Sequence, residues 1–450
     1  MLNRILSTFF VGFGLLASAQ VTSTSPYSYY GLGEMEGMEN ASLGALGNST
    51  ITYFDSTVLN YNNPASYNTL GKGQPIFSTG LSSRISNYHQ GDIKHFDKSV
   101  TLNHFAFGLS FGKYFGVAIG LKPYSRRGYN FYDLQGVGSD TLKHSYSGEG
   151  NSNEAFIGFS SDLIRLKKIR LSVGSNIGYV FGNITNTRMS NLVGSDSSSG
   201  GVYITKNELQ AIHYQFGMNY NQKLNEQNEF TVSAVYEPKQ DFFGYQSNTM
   251  YYAPLISNPL SYVTLTSSGL VPNHFKVAPT TTLGLNYRFQ FTDIKKGNQS
   301  RKSEISVHAS FNTTDWTKFK SISEGVEKDY HFQATTKTTF GIQYTPEIFN
   351  NDKAAHGNIL EKTKYRFGAY SYNLPYTQNK LNIIDKGLTI GLGIPILTQR
   401  SQSSVNLGFA YGNRGTGDNT LLLEKYYNIN IGLTFAPSIF ERWFVKRKLD

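Results

Sequence analysis

The sequence predicts an all-β protein: an antiparallel transmembrane β-barrel. Three observations carry that prediction. From Pro75 onward, large apolar residues recur at every second position, the period of a strand with one apolar face. The opposite face is mostly Gly, Asn, Ser, Gln and Thr, whereas the outer face of a soluble sandwich usually carries charge. The chain is also rich in Tyr (31), Phe (31) and Gly (44), lacks Cys, and has a mean hydropathy of −0.34. Only every second residue of a barrel strand meets lipid, so a negative mean suits a spanning barrel and not apolar helices.

Residues 1–19 read as a secretory signal. Arg4 supplies the positive start, Ile5 to Leu16 the apolar core, and Ala17-Ser18-Ala19 a small-x-small cleavage site that leaves Gln20 first. The core is shorter than the roughly 20 residues of a membrane helix. Residues 20–73 form an N-terminal segment ahead of the barrel, and residues 20–43 of it are low in aliphatic side chains. Within it, Gly44 to Tyr67 reads GALGNSTITYFDSTVLNYNNPASY. Pro64 fixes its own φ and biases Asn63 away from helix, and Asn63 can hydrogen-bond nearby backbone. Asp55 is a charge in a neutral stretch, so it needs a cationic partner in the lumen, with Arg170 and Arg288 as candidates.

Residues 74–437 form the barrel. The expected strands are 76–88, 99–111, 113–123, 152–161, 167–182, 208–222, 229–237, 278–291, 303–312, 334–345, 363–372, 386–396, 402–412 and 424–436. Leu283, Leu285, Tyr287, Phe289 and Phe291, for example, oppose Thr282, Gly284, Asn286, Arg288 and Gln290. Tyr179, Tyr220, Tyr287, Tyr344, Tyr411 and Tyr427 end apolar runs, as interfacial girdles do. Short connections, such as the turn at Gly112-Lys113, belong in the periplasm. The long ones (124–151, 183–207, 238–277, 313–333 and 412–424) belong outside.

Three features are candidates for function. Pro123, with Tyr124, either kinks the third strand to open a lateral gap in the wall or ends that strand at the outer rim. The loop 238–277 carries Phe242, Phe243, Tyr251, Tyr252 and Leu255. So much apolar surface must fold over something: a greasy ligand, another outer-membrane protein, or the barrel top. The tail 438–450, SIFERWFVKRKLD, reads either as a basic periplasmic extension lying on the inner leaflet or as a disordered end.

The chemistry this excludes is broad. Absence of Cys removes disulfides and thiol metal sites. The nine His form no HExxH or other metal spacing, and no nucleophile or phosphate-loop motif is present, so no enzyme and no cofactor is expected. His104, His213 and His308 are expected as polar lumen residues. The net charge of +10 is scattered over loops, strand ends and tail. It suits acidic lipid head groups or partner proteins and not nucleic acid.

The order small-residue run, Asp55-Ser56, then Asn63-Pro64-Ala65, ahead of a barrel, resembles the N-terminal hatch of FadL-type outer-membrane transporters. Ser25 to Gly33 and the Trp443-Phe444 tail are similar to FadL-like proteins of Bacteroidota-type bacteria. The resemblance covers the whole mature chain in layout, and in motif only residues 25–67, the third-strand exit and the tail. It implies a 14-stranded barrel with an N-terminal plug (hatch) in residues 20–73 that includes Asp55, Asn63, Pro64 and Ala65, a cell outer-membrane location, and passive uptake of hydrophobic or amphipathic molecules such as long-chain fatty acids. Its expected partners are membrane lipid, a hydrophobic small molecule and other outer-membrane or periplasmic proteins. The alternative it implies is a non-transporting subunit of an outer-membrane secretion or barrel-assembly complex.

Overall fold

The computed structural model describes residues 25–35, 41–111, 114–193, 199–294, 300–347, 358–398, 401–418 and 420–436. The signal (1–19), the tail (438–450) and the turn at Gly112-Lys113 lie outside the described residues.

Twenty strands follow in chain order. The first ten are β1 (Glu34–Met35), β2 (Ile76–Gln90), β3 (Ile93–Phe111), β4 (Phe115–Val137), β5 (Asp140–Arg165), β6 (Ile169–Leu192), β7 (Gly200–Lys223), β8 (Asn228–Glu237), β9 (Gln240–Ala253) and β10 (Val263–Ser267). The rest are β11 (Val271–Val277), β12 (Thr280–Ile294), β13 (Ser300–Thr314), β14 (Lys320–Ser323), β15 (Val326–Asp329), β16 (Thr335–Thr345), β17 (Lys364–Gln378), β18 (Leu381–Thr398), β19 (Ser401–Gly415) and β20 (Leu423–Phe435). Fourteen of them, β2 to β8, β12, β13 and β16 to β20, make the wall, and each overlaps one segment expected from the alternation. All wall pairings are antiparallel. Pairing of β2 with β20, from Phe77↔Phe435 to His89↔Leu423, closes the ring.

The faces follow the sequence pattern. Leu283, Leu285, Tyr287, Leu407 and Ile431 are exposed on the outside, while Asn286, His308 and Asn406 are buried inside. Closure leaves the lower wall without a free edge, as a lipid-exposed sheet requires.

Among the described residues the connections 124–151, 183–207 and 238–277 are largely strand, in contrast to the expectation from apolar alternation. The first two hold the upper halves of the wall strands β4 to β7, and the third holds β9, β10 and β11. β4 and β5 stay paired up to Val137↔Asp140, and β6 and β7 up to Asn191↔Gly200. The physical reason lies in what alternation reports. Apolar alternation marks contact with lipid, but the hydrogen-bond ladder continues into water with polar outward residues. On β7 the exposed run Ile212, Tyr214, Phe216 gives way upward to Gln210 and Lys206.

Likewise β9 continues β8 along β7 after a one-residue slip, from Phe216↔Tyr236 to Gln210↔Phe243. Pro238 sits in that break, and Pro279 in the corresponding break between β11 and β12, where no ladder donor is needed. The 313–333 connection contains the β14–β15 hairpin.

Candidate functional site: the lumen and the split wall

Residues 41–73 run through the lower, short-turn half of the lumen and are nearly all buried. Two 3-10 helices anchor them. Gly44–Leu46 packs on β16 to β19, and Pro64–Thr69 on β3 to β7. The anchors are hydrogen bonds to inward polar side chains. Thr389 Oγ1 donates to Ala45 O (2.8 Å) and accepts from Gly47 N (3.0 Å). Arg366 donates to Ser42 O (3.0 Å), Thr52 Oγ1 meets His308 Nδ1 (2.9 Å), and Tyr67 OH donates to Asn176 Oδ1 (2.8 Å).

Contact with the wall is backbone to backbone at several glycines, among them Gly341 and Gly368 against Leu46 and Gly47, and Gly116 and Gly174 against Tyr67 and Pro64. A Cβ on Gly116 would lie 2.3 Å from the Tyr67 carbonyl carbon, and one on Gly174 would lie 2.5 Å from that of Pro64. No other residue type fits there.

Asn63, Pro64 and Ala65 form the start of the second 3-10 helix. Asn63 is extended (φ −133°, ψ 104°), Pro64 is the first helical residue, and Asn63 Oδ1 accepts from Ala65 N at 3.0 Å. Asn63 Nδ2 donates back to Ile51 O at 2.8 Å. Asp55 pairs with Lys364, and its Oδ1 accepts from Thr57 N and Oγ1.

Neither arginine expected for Asp55 is its hydrogen-bond partner. Arg288 donates to Phe54 O (3.3 Å) and faces Glu229 and Glu304. Arg170 takes Asp162 (2.7 Å) and Asn68 O (3.2 Å). The reason is register: Lys364 opens β17 at the level of Asp55, one strand end that carries no apolar signal.

Residues 25–35 occupy the upper lumen. Tyr27 OH donates to Leu422 O (2.7 Å), and Ser28 Oγ donates to Gly128 O (2.9 Å). Glu34 accepts from Arg414 (2.6 Å) and Arg84 (3.3 Å); Arg84 also holds Glu424 (2.8 Å), and Arg414 holds Asp385 (2.8 Å). Sequence reading missed this network. Part of its signal was present, because Arg84 and Glu424 are charges within expected strands, whereas Asp385 and Arg414 lie just beyond the expected ends of theirs. Above it Trp316, Phe319 and Phe332, from the β13–β16 connection, pack with Tyr27 and Tyr376 into an aromatic cover. A cavity of about 220 Å³ lies beneath, with Glu34, Arg84 and Arg414 on its surface.

Pro123 and Tyr124 mark a split in the wall. β4 pairs with β3 only from Phe105↔Leu121 to Phe111↔Phe115, and its register with β5 slips between Pro123 and Ser125. Pro123 therefore does not end the strand, which runs on to Val137. Above Leu121 the β3-side edge of β4 is met by β1 from within, through Glu34↔Arg126 and Met35↔Ser125.

Tyr124 points inward. Its ring lies 5.5 Å from that of His213 and 5.3 Å from that of Phe242. His213 bridges Glu154 (3.0 Å) and Glu237 (3.7 Å), and Lys122 meets Glu154 at 3.4 Å.

The five residues of the former loop divide. Phe242 is wholly buried with Tyr124, whereas Phe243 and Tyr252 are exposed on the outer face. Tyr251 packs on Tyr262 at 6.1 Å, and Leu255 is half-buried beyond the end of β9. They are not one surface, because strand alternation sends neighbours to opposite faces.

The geometry thus defines an outer-membrane type of closed barrel with its own N-terminal chain running through the lumen. Solved structures share this fold. The Pseudomonas putida toluene transporter TodX is similar at a TM-score of 0.57 and 16% identity, over 90% of this chain and 99% of that one. A Pseudomonas aeruginosa FadL homologue is similar at 0.54 and 12%, over 89% and 99%. No curated protein matches. The family model that matches, over residues 1–450, is BamG, and the chain belongs to the BamG family. The likeness to FadL is one of fold.

Proposed function

We propose that this protein is a sealed outer-membrane barrel acting as a structural subunit of an outer-membrane barrel-assembly or secretion complex. The observation that carries the reading is the backbone contact of Gly116 with Tyr67 and of Gly174 with Pro64. A segment locked this tightly to the wall is a plug built to stay. The aromatic cover at Trp316, Phe319 and Phe332 adds a second seal on the outside. Membership of the BamG family supports the assembly reading. The exposed extension carrying Phe243 and Tyr252, and the basic tail 438–450, are its candidate docking surfaces for outer-membrane and periplasmic partners.

Extraction in mild detergent tests it. Stoichiometric protein partners on a tagged full-length chain are expected, and a lone barrel contradicts the proposal. Export through cleavage after Ala19 predicts an outer-membrane protein beginning at Gln20, which intact-mass measurement reads directly.

A second reading is passive uptake of a hydrophobic or amphipathic compound, such as a long-chain fatty acid. It is favoured by the fold shared with a toluene transporter. It is also favoured by the aromatic pair Tyr124 and Phe242 beside the split above Pro123, which would serve as a lateral exit. Uptake of labelled fatty acid into proteoliposomes above the protein-free rate would favour this reading.

A further inference from the structure

We propose that the cavity at the periplasmic end of the lumen binds an extended acidic peptide segment of a periplasmic protein. The cavity holds about 610 Å³ and is bounded by the inner segment around Asp55 and Lys72 and by the short-turn ends of the wall strands. Five cations line it: Lys72, Arg288, Lys362, Lys364 and Arg366. The lining carboxylates are Asp55, Glu304 and Glu347, two fewer than the cations. Asp55 is taken by Lys364, and Glu304 faces Arg288 at 3.5 Å.

Arg366 is 1% exposed and donates to neutral acceptors: Gln343 Oε1 (2.9 Å), Asn406 Oδ1 (2.8 Å) and Ser42 O (3.0 Å). Lys72, exposed at the rim, and Lys362, ending the short helix Ile359–Lys362, have no carboxylate at ion-pair distance among the described residues.

Size and chemistry choose the occupant. The volume falls in the range of about 300–1,000 Å³ that takes a drug-sized ligand. It far exceeds the share of about 30 Å³ of one water, so a single inorganic anion would leave most of it to solvent. Few aliphatic side chains line it; Val58 and Pro395 are exceptions, so an acyl chain gains little there. Gln74, whose buried Nε2 has no hydrogen-bond partner among the described residues, supplies a donor for a peptide carbonyl, and the surplus lysines supply charge for its carboxylates. The inference stands on the cavity alone; joined to the assembly reading, it gives that reading a partner chemistry.

The test uses the purified full-length protein in detergent and a fluorescent capped tetraglutamate peptide, followed by anisotropy. Saturable binding is expected that weakens with salt, is absent for capped tetralysine, and falls at least tenfold in the rim double variant K72E/K362E. Glutarate should compete only at concentrations at least tenfold above the unlabelled peptide. Heat-modifiable migration of the variant checks that it folds. No saturable binding, equal binding by the variant, or glutarate competing as well as the peptide would each overturn the proposal. None of these outcomes touches the assembly reading, since a partner that docks elsewhere is unaffected.

Discussion

Asp55, in the chain that runs through the lumen, forms an ion pair with Lys364 at the first residue of β17. Burial alone raises the Asp55 pKa, but the Lys364 ammonium and the Thr57 hydrogen bonds more than offset it and hold it well below the usual carboxylate range. A depressed folded pKa means stability that is fully present above the ordinary value of about 3.9 and lost as pH falls through the folded one. Asp55→Asn should cost about 1–3 kcal/mol at pH 7, between an exposed pair and a buried one, as the side chains are 20% and 25% exposed. Urea midpoints from pH 7 to pH 2 check it. The acid decline should be shallower in the variant than in the wild type, and parallel curves would remove Asp55 from the acid response.

Gly174→Leu should push Pro64 off the wall without unfolding the barrel, because the strand ladder does not depend on the inner segment. The same holds for Gly116→Leu against Tyr67. Each variant should keep heat-modifiable migration and become susceptible to periplasmic-side proteolysis between residues 41 and 73. A protected segment in both variants would show that these contacts do not hold it.

Asn63→Ala removes the acceptor for Ala65 N and the donor to Ile51 O. Loss of a cap costs about 0.5–2 kcal/mol, and stranding a buried carbonyl adds about 1 kcal/mol or more. Asn63→Asp keeps the acceptor for Ala65 N but buries an unpaired carboxylate with an oxygen facing Ile51 O. In equilibrium unfolding at pH 7 the aspartate variant should therefore be the less stable of the two, and the order should reverse as the pH falls and the carboxyl is protonated.

What was legible in the sequence follows from what each force writes there. Lipid demands an apolar residue at every second position, so ten of the fourteen wall strands and the outward faces of Leu285 and Ile431 could be read directly, while 76–88, 152–161, 229–237 and 363–372 alternate more weakly. Proline restricts its neighbour, so the extended Asn63 could be read as well. The upper strands could not, because a ladder in water tolerates any polar residue on its outside. The split between β3 and β4 is a missing pairing, and Pro123 marks its place without revealing that Glu34 and Met35 meet the free edge. The partner of Asp55 depends on which strand end reaches it in three dimensions, and no local pattern encodes that.

Inward positions are polar but packed, which separates them by size. Leu407→Lys and Ile431→Lys, on the lipid face, should each destabilise by roughly 2–4 kcal/mol near the bilayer midplane. Asn430→Ser, facing inward, should change stability by less than about 1 kcal/mol, as substitutions that keep a polar group do. Gly284 does not join the tolerant set. A Cβ there would sit 2.7 Å from Thr52 Cγ2 and 2.9 Å from Ile51. Folding yields into liposomes rank the four positions.

The seal itself is tested most directly by conductance in planar bilayers, comparing the full-length protein with a variant lacking residues 44–60. The wild type should be electrically silent. The deletion should fold, since the β2–β20 pairing that closes the ring uses none of those residues, and should open steady ionic conductance through the vacated lumen. A folded deletion that stays silent, or a wild type that conducts as the deletion does, would contradict the account.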